Sequence, residues 1–245
     1  MWQEYESDYG VALKDEAFVS WREAGARQKA ENVLKVCRSI RVTTAIEIGC
    51  GTGAVLKRLQ EYHFAKHFVC VDLAHSAVQF AKNLCGESVL CACVASATAL
   101  PFRDAAFDVA ILSHVIEHLR EPAQAVAEAS RVARYVVVEV PTEVVLSNVI
   151  RRKVLGKPYA SIEGAGHVQF WSTGSVREFL ERDCSLEILE NKVDLISKEA
   201  EYFGKSGLGL AKPIVKQTLK AVLPAAVYTR MLTSHSTFLC KRATT

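Results

Sequence analysis

The sequence predicts an α/β fold built on a doubly wound sheet with helices on both faces. Short apolar runs alternate regularly with segments of helical period, which is typical of successive strand–helix units and a parallel sheet. The run Tyr-Val-Val-Val-Glu-Val at residues 135–140 is almost continuously apolar, as expected of a strand covered on both faces. The 245 residues suit one domain of this class with modest insertions. We therefore expect a single domain over residues 1–245.

The elements of the first half follow one another without a break in the pattern. Residues 26–40 carry apolar side chains at helical spacing, with Lys29 and Asn32 on the opposite, polar side, and predict an amphipathic helix. β-Branched and apolar runs predict five strands, at residues 44–48, 68–71, 89–93, 108–112 and 135–140. Helices are predicted between them, at residues 53–62, at residues 76–84 and from Pro122 onward, where proline suits the first helical turn.

The pattern becomes irregular after the fifth strand. Further elements are predicted there, with helices at residues 143–155 and 173–180, a loop at 156–166 and strands at 186–196 and 236–241. The two added strands complete a seven-stranded mixed sheet. A basic amphipathic helix is expected within residues 212–223, with Lys212, Lys216 and Lys220 on one side. Its lysines are interpreted as a solvated face, and an anionic substrate, a partner or peripheral membrane contact are the alternatives.

The composition narrows the class of protein. Half of the residues are hydrophobic, and Lys plus Arg exceeds Asp plus Glu by only 3, which argues against a disordered chain and a strongly basic nucleic-acid binder. No apolar stretch approaches the ~20 residues of a membrane span, and residues 1–10 lack the features of a secretory signal, so we expect a cytoplasmic protein. The 8 cysteines include no C-x-x-C pair and are interpreted as reduced thiols rather than metal ligands.

The strongest chemical signal is the glycine-rich segment Glu-Ile-Gly-Cys-Gly-Thr-Gly at residues 47–53, between a strand and a helix. Glycines at alternate positions allow positive φ and let a ligand rest on the backbone and on the start of the helix. Asp72 follows the second strand, where a carboxylate can bind both hydroxyls of a ribose. These features predict a site for a nucleotide-like ligand.

The glycines alone do not identify this ligand. Gly49-x-Gly51-x-x-Ala54 also fits the fingerprint of domains that bind a nicotinamide dinucleotide, so an oxidoreductase is the main alternative. Three further features favour a different cofactor: the acid Glu47, the glycine at 53 and the presence of about 40 residues before the first strand.

Four segments in order resemble the class I S-adenosylmethionine-dependent methyltransferases, specifically the type 11 small-molecule group that includes quinone, sugar and natural-product methyltransferases. They are Glu-Ile-Gly-Cys-Gly-Thr-Gly at 47–53, Val-Asp-Leu at 71–73, Ala-Leu-Pro-Phe-Arg-Asp-Ala-Ala-Phe-Asp-Val at 99–109 and His-Val-Ile-Glu-His-Leu at 114–119. The resemblance implies a Rossmann-like fold. It further implies a cofactor-binding core at residues 41–141, an N-terminal lid and helix at 1–40, and helical caps at 142–172 and 198–233 around the substrate.

The resemblance also implies roles for individual residues. The glycines would lie under the methionine part of S-adenosylmethionine, Glu47 would fix the turn or the amino group, and Asp72 would bind the ribose. The complete set expected to bind the cofactor is Glu47, Gly49, Cys50, Gly51, Gly53, Asp72, Leu73, Ser96, Ala97, Ser113 and His114. Family members usually carry Asp where this chain has Ser96, which puts adenine recognition at that position in question, and the usual Pro-Gly-Gly turn before the fifth strand is missing. Tyr5, Tyr9, Trp21 and Arg22 precede the predicted first helix and are candidates for the lid.

Methyl transfer to a hydroxyl oxygen of a small molecule is the expected reaction. Alignment of the two reactants is its main requirement, and a histidine near neutrality suits the removal of the hydroxyl proton. His167 and His114 are the candidate catalytic residues, whereas Glu117 and His118 are interpreted as a structural pair and no metal site is predicted. Nucleic-acid methylation is disfavoured because the segment after the fourth strand lacks the Asn/Asp-Pro-Pro-aromatic motif that holds a flipped base. A non-catalytic binding module is a third alternative.

Overall fold

The computed structural model describes residues 2–143, 145–156, 166–206, 211–232 and 234–243. Its centre is a seven-stranded sheet in the order β3-β2-β1-β4-β5-β7-β6. The strands are β1 (Thr44–Ile48), β2 (His67–Asp72), β3 (Val89–Val94), β4 (Phe107–Ser113), β5 (Ala133–Thr142), β6 (Leu186–Leu195) and β7 (Ser234–Arg242). The first five strands are parallel, and β7 runs antiparallel to both β5 and β6. The predicted doubly wound mixed sheet is confirmed.

Helices connect the strands and cover both faces of the sheet. They are α1 (Trp2–Ala12), α2 (Glu16–Val36), α3 (Ala54–Glu61), α4 (His75–Cys85), α5 (Pro122–Val132), α6 (Leu146–Leu155), α7 (Thr173–Glu178), α8 (Lys198–Tyr202), α9 (Ala211–Val222) and α10 (Ala225–Met231). A short 3-10 turn, Ile116–His118, follows β4. The predicted loop at 156–166 falls mostly on residues 157–165, which lie outside the described residues.

The prediction for the first long helix is wrong in its bounds and in its polar side. α2 begins at Glu16 because the Asp15 side chain accepts the Ala17 N–H at 2.9 Å and caps it. Trp21 and Arg22 therefore lie within the helix rather than ahead of it. Apolar spacing beyond residue 26 did not reveal this start, because the capping signal lies ahead of the apolar stripe.

Part of the supposed polar side of α2 faces the protein instead of water. Asn32 is fully buried and donates to Glu139 on β5 at 2.9 Å, and Lys29 is half-buried. An amphipathic pattern shows only that polar residues point away from the apolar core. In α2, Asn32 and Lys29 point away from the apolar core but toward buried carboxylates near the ends of the strands.

The sheet separates two apolar cores. Ile46 and Leu112 pack on one face with α5, whereas Val33 and Leu59 pack on the other face with α2 and α3. Burial of each such side chain stabilises the fold by roughly 1.5–3 kcal/mol. The two cores fix β1, β4 and β5 side by side, so the segments that follow these strands meet at one edge of the sheet. Among the helices of the described ranges, none combines the length and apolarity needed to cross a membrane.

Candidate active site

The glycine turn, residues 49–53, follows β1 in a conformation that requires glycine. Gly49, Gly51 and Gly53 have φ of +73°, +55° and +74°. A Cβ atom on Gly49 would lie 2.6 Å from Val115 Cγ2, and one on Gly53 would lie 2.8 Å from Ala81 Cβ. The turn is therefore tightly packed against Val115 and Ala81, and neither Gly49 nor Gly53 has room for a Cβ atom.

Hydrogen bonds from neighbouring segments hold the turn in place. The backbone N–H groups of Gly49 and Cys50 donate to the Val71 carbonyl at 2.8 and 3.0 Å. Asp72 Oδ2 accepts the Gly51 N–H at 2.8 Å, and its Oδ1 accepts the Ala74 N–H at 3.0 Å. The predicted partners Gly51 and Asp72 are thus brought together, at adjacent carboxyl ends of β1 and β2.

Glu47 is a buried carboxylate that precedes the turn. Its side chain is almost fully buried, and its Oε2 atom has no hydrogen-bond partner among the described residues. Burial raises the pKa of Glu47 to about 8, because the charged form is poorly solvated. An unpaired buried oxygen beside the glycine turn fits a ligand with a cationic or N–H group, such as the amino group of S-adenosylmethionine.

Two side chains from the N-terminal helices lie against the middle of the turn. A Cβ atom on Gly51 would lie 2.5 Å from Tyr9 Oη and 2.8 Å from Arg22 Nη2. Burial raises the pKa of Tyr9 to about 12. Trp21, by contrast, is 45% exposed and does not share this buried position. The fold therefore brings Tyr9 and Arg22, two of the predicted lid residues, to the glycines.

The residues predicted to bind adenine are placed beyond β2 and β3. Leu73 is 37% exposed, which is unusual for a leucine next to a buried strand end. The Ser96 hydroxyl pairs with Thr98 Oγ1 at 2.8 Å and accepts the Thr98 N–H at 3.2 Å. Ala97 packs against the apolar core. Ser96 thus uses its hydroxyl to stabilise a local turn.

A buried carboxylate, Glu139, organises the neighbouring ends of β4, β5 and β7. Its Oε1 accepts from Asn32 Nδ2 at 2.9 Å and from Thr237 Oγ1 at 3.3 Å, and its Oε2 accepts from Ser113 Oγ at 2.7 Å. Ser113, predicted as a cofactor residue, therefore donates to Glu139. The sequence analysis missed this network, although a lone acid within an apolar strand is a usable signal for a satisfied buried charge.

His114 follows β4 with φ of +58°, a left-handed conformation that is strained for a residue other than glycine. Its backbone N–H donates to the Glu139 carbonyl at 2.9 Å. Its ring meets His235 edge to face, with centroids 4.6 Å apart, and Nδ1 lies 3.4 Å from Glu117 Oε1. Burial lowers the pKa of His114 well below its ordinary value, because the charged ring is poorly solvated.

His167 lies in the segment that returns over the same edge of the sheet. Its Nδ1 is 2.7 Å from Glu143 Oε2, and both side chains are largely buried. Burial acts to lower the pKa of His167, but the hydrogen bond and negative charge of Glu143 outweigh it, and the pKa is raised. The backbone N–H groups of Val168 and Gln169 donate to the Glu117 carbonyl at 2.9 and 3.0 Å. These bonds fix the segment against the turn that follows β4.

Lys29 is a second residue that the sequence analysis missed. It lies on α2, and burial lowers its pKa to about 8, with the positive charge of Arg22 acting in the same direction. The negative charges of Glu139, Glu117 and Glu47 oppose that shift. The charges of three buried carboxylates, which lie in or follow three different strands, thus act on one amine, and the local sequence gives no signal of this.

The fold and the site together define a class of protein. A parallel sheet with one reversed strand, a glycine turn after β1 and an acid after β2 are the features of a class I S-adenosylmethionine-dependent methyltransferase. Comparison with known proteins agrees, since residues 46–135 match the family described as a methyltransferase domain. Residues 46–135 thus match a methyltransferase domain, as the sequence predicts, and this family implies binding of S-adenosylmethionine.

Individual relatives support this assignment over different lengths. A malonyl-[acyl-carrier protein] O-methyltransferase of Geobacter sulfurreducens is 35% identical over 88 residues, which are 36% of this chain and 33% of that protein. The chain thus matches about a third of the length of this curated relative. A match of this length does not extend to the acceptor of the whole protein.

Solved structures show the same fold at low identity. A Haloferax volcanii methyltransferase, in complex with the Trm112 methyltransferase activator, has a TM-score of 0.65 at 16% identity and covers 96% of this chain and 98% of its own. The Haemonchus contortus phosphoethanolamine N-methyltransferase 2, in complex with phosphomonomethylethanolamine and S-adenosylhomocysteine, has a TM-score of 0.58 at 13% identity. That match covers 89% of this chain and 52% of the other.

Proposed function

We propose that this protein transfers a methyl group from S-adenosylmethionine to a hydroxyl oxygen of a small-molecule acceptor. The observation that carries the proposal is the His167–Glu143 pair, 2.7 Å apart and largely buried, at the same edge of the sheet as the glycine turn. A histidine held by a carboxylate is a suitable proton acceptor for a hydroxyl. The O-methyltransferase activity named for the Geobacter relative supports oxygen as the accepting atom.

The residues at the ends of β1 and β2 would hold the cofactor. S-adenosylmethionine supplies a methyl group on a sulfonium, which is an activated leaving group. We assign the backbone of Gly49, Gly51 and Gly53 to the methionine part, the free Oε2 of Glu47 to the amino group, and Asp72 to the ribose. Asp72 keeps acceptor capacity on both oxygens, because a carboxylate offers about four lone-pair sites.

Adenine recognition is assigned to the surface beyond β2. The exposed face of Leu73 would pack on the ring, and Ala97 would line its edge. Because the Ser96 hydroxyl is engaged with Thr98, recognition of the exocyclic amine would use backbone groups near Ser96 rather than its side chain. Cys50, Ser113 and His114 would shape the floor of the pocket, the last two through their bonds to Glu139.

His167 would act on the acceptor hydroxyl. With a proton on Nδ1 donated to Glu143, the Nε2 atom has a lone pair that can take the proton as the oxygen attacks the methyl carbon. Glu143 then stabilises the imidazolium ring that forms. His114 is a weaker base because burial lowers its pKa, and we assign it a positioning role at the floor of the crevice.

The helical segments after β5 would complete the acceptor pocket. We assign residues 142–172 and 198–233 to a cap, and α9 presents Ile214 and Val215 at 52% and 57% exposure. An acceptor with an apolar portion fits such a cap. The same exposed side chains, together with the basic residues of α9, would also suit peripheral contact with a lipid surface.

A binding and product assay tests the proposed function. The thermal midpoint of the protein is measured with S-adenosylmethionine, S-adenosylhomocysteine and NADH in separate samples, because a ligand at ~100 times its Kd stabilises by ~2.7 kcal/mol. We expect a shift with the two adenosyl compounds alone. A panel of hydroxylated acceptors is then assayed by mass spectrometry for a methylated product. Stabilisation by NADH alone would contradict the proposal, and cofactor binding without turnover of any acceptor would favour a non-catalytic module.

A further inference from the structure

Three potential metal ligands converge where the segment after β4 meets the segment that returns over it. One ligand atom from each of Glu117, His118 and His167 lies within 4.8 Å of the other two. The His118 and His167 rings meet edge to face with centroids 4.9 Å apart. Two residues come from the 3-10 turn and the third from a distant loop, so this cluster exists only in the folded chain.

Glu117 is left unsatisfied in the protein alone. Its side chain is fully buried, and within the described part of the chain neither carboxylate oxygen has a hydrogen-bond partner. His114 Nδ1 lies 3.4 Å from Oε1 of Glu117. Lys29 adds a positive charge to its surroundings but no hydrogen bond. Buried carboxylates without partners are rare, and those that occur are usually paired with a charge or bound to a metal.

The orientation of His167 is also that of a metal ligand. Its Nδ1 is engaged with Glu143 Oε2 at 2.7 Å, which leaves Nε2 as the coordinating atom. Metal-binding histidines almost always use their other nitrogen in such a bond, and a carboxylate is a common partner. The backbone bonds from Val168 and Gln169 to the Glu117 carbonyl hold the loop histidine in register with the turn.

We propose that Glu117, His118 and His167 bind one divalent transition-metal ion of the zinc, cobalt, iron or manganese type. A set of one carboxylate and two imidazoles favours these ions over Mg²⁺ and Ca²⁺, which prefer oxygen ligands. Three protein ligands leave further coordination positions open, as in catalytic zinc sites. Glu143 lies outside the set and orients His167.

The open positions would bind an oxygen of the acceptor, and this step rests on the proposed function. With the ion present, the Nε2 lone pair of His167 would be coordinated and could not take a proton. The ion would instead lower the pKa of the acceptor hydroxyl, and the hydroxyl proton would pass to water. Without the ion, Nε2 itself takes the proton. The proposed metal site does not depend on whether the hydroxyl proton passes to water or to His167.

Metal binding is tested directly on the full chain after treatment with a chelator. Zn²⁺ is titrated by calorimetry, and Co²⁺ is titrated by visible absorption, which reports its ligand geometry. We expect one ion per chain for the wild type, at least a tenfold loss of affinity for His118→Gln, and a loss of about 10–100-fold for Glu143→Gln. His75→Gln, a change at an exposed histidine on α4, is the matched control and should bind like the wild type.

The outcomes separate the metal site from the methyltransferase activity. His118 is exposed, so His118→Gln should fold, and its thermal midpoint without metal is measured to confirm this. Equal affinity of the wild type and His118→Gln, or binding lost equally in His75→Gln, would overturn the metal site. S-adenosylmethionine affinity is measured in the same samples: a chain that binds the cofactor but no metal refutes this site alone, whereas a chain that binds metal but no cofactor refutes the proposed function alone.

Discussion

The two halves of the proposed active site, which we call the cofactor half and the acceptor half, are built in different ways. The cofactor half, residues 47–53 with Asp72 and Leu73, comes from two consecutive strand ends, and its groups are held by backbone hydrogen bonds. The acceptor half, defined as His114, Glu117, His118, Glu143 and His167, comes from the ends of β4 and β5 and a later loop. Its side chains are ionisable and mostly buried, and Lys29 of α2 adds to their electrostatic field.

This difference suggests a division of tasks. A rigid backbone turn suits a cofactor that must be bound in one pose, because glycine removes the side chains that would block it. Ionisable side chains suit a reacting hydroxyl, because they can move a proton or bind a cation. Changes in one half should therefore alter one function and spare the other.

His167→Ala should separate the two halves most sharply. Loss of the imidazole removes either the proton acceptor or a metal ligand, and we expect kcat to fall by ~10²–10⁴-fold with nearly unchanged affinity for S-adenosylmethionine. Steady-state kinetics and calorimetry measure the two quantities. His75→Ala is the matched control, and wild-type turnover in His167→Ala would remove this residue from the mechanism.

Gly53→Ala should damage the cofactor half. Its φ of +74° is left-handed, and the new Cβ would lie 2.8 Å from Ala81 Cβ and 2.9 Å from Ala81 Cα. Strain and overpacking together should lower the free energy of unfolding by about 2–5 kcal/mol and weaken cofactor binding. Chemical denaturation and calorimetry are the measurements.

Gly25→Ala is the internal control for that substitution. Gly25 lies within α2, and among the described residues no heavy atom beyond its chain neighbours and the backbone of its own helix lies within 4 Å of an added Cβ. Alanine favours the helix by up to about 1 kcal/mol, so this variant should be as stable as the wild type or more so. Equal destabilisation of the two variants would mean that the turn is not a constrained cradle.

Glu139→Gln tests the support beneath the acceptor half. The amide cannot accept from Asn32, Thr237 and Ser113 in the way a carboxylate does, so at least one donor loses its partner. We expect a loss of about 1–3 kcal/mol in the free energy of unfolding. Glu187→Gln, at an exposed pair with Lys241, should change it by less than about 1 kcal/mol. Similar stabilities of the two variants would show that the buried network adds little.

The smallest expected effect lies at the opposite edge of the sheet, away from both halves. Burial acts to raise the pKa of Asp108, but its hydrogen bonds from the Thr44 and Thr43 N–H groups and the Thr44 hydroxyl outweigh it and lower the pKa. Because the folded pKa is lowered, this stabilisation is present above the unfolded value of ~3.9 and is lost as pH falls through the folded value.

Unfolding curves of the wild type and Asp108→Asn at several pH values measure this contribution. Their stabilities should differ most near neutrality and converge below pH ~4. Asp104→Asn, a change at a carboxylate that is 78% exposed, should show a smaller pH-dependent difference. A constant difference between wild type and Asp108→Asn at all pH values would contradict the lowered pKa.

The sequence by itself determined the fold class, the succession of strands and helices over the first five strands, and the residues that we propose for the cofactor half. These depend on short-range patterns: the alternation of strand and helix, the glycines at 49, 51 and 53, and an acid that follows the next strand. Each of these features is visible in a short stretch of sequence. Adjacent parallel strands bring their carboxyl ends to the same edge of the sheet, so the segments that follow β1 and β2 meet there.

Only the tertiary structure decided the acceptor half and its support. Sequence analysis named His114 and His167 and considered Glu117 with His118, but it did not connect His167 with Glu143 or with that pair. It also placed Lys29 and Asn32 toward water. In the structure Asn32 instead donates to Glu139, and the charges of Glu139, Glu117 and Glu47 act on Lys29. Such contacts join residues that are far apart in the chain. No local pattern predicts them, because they form only when α2 and the returning loop pack on the sheet.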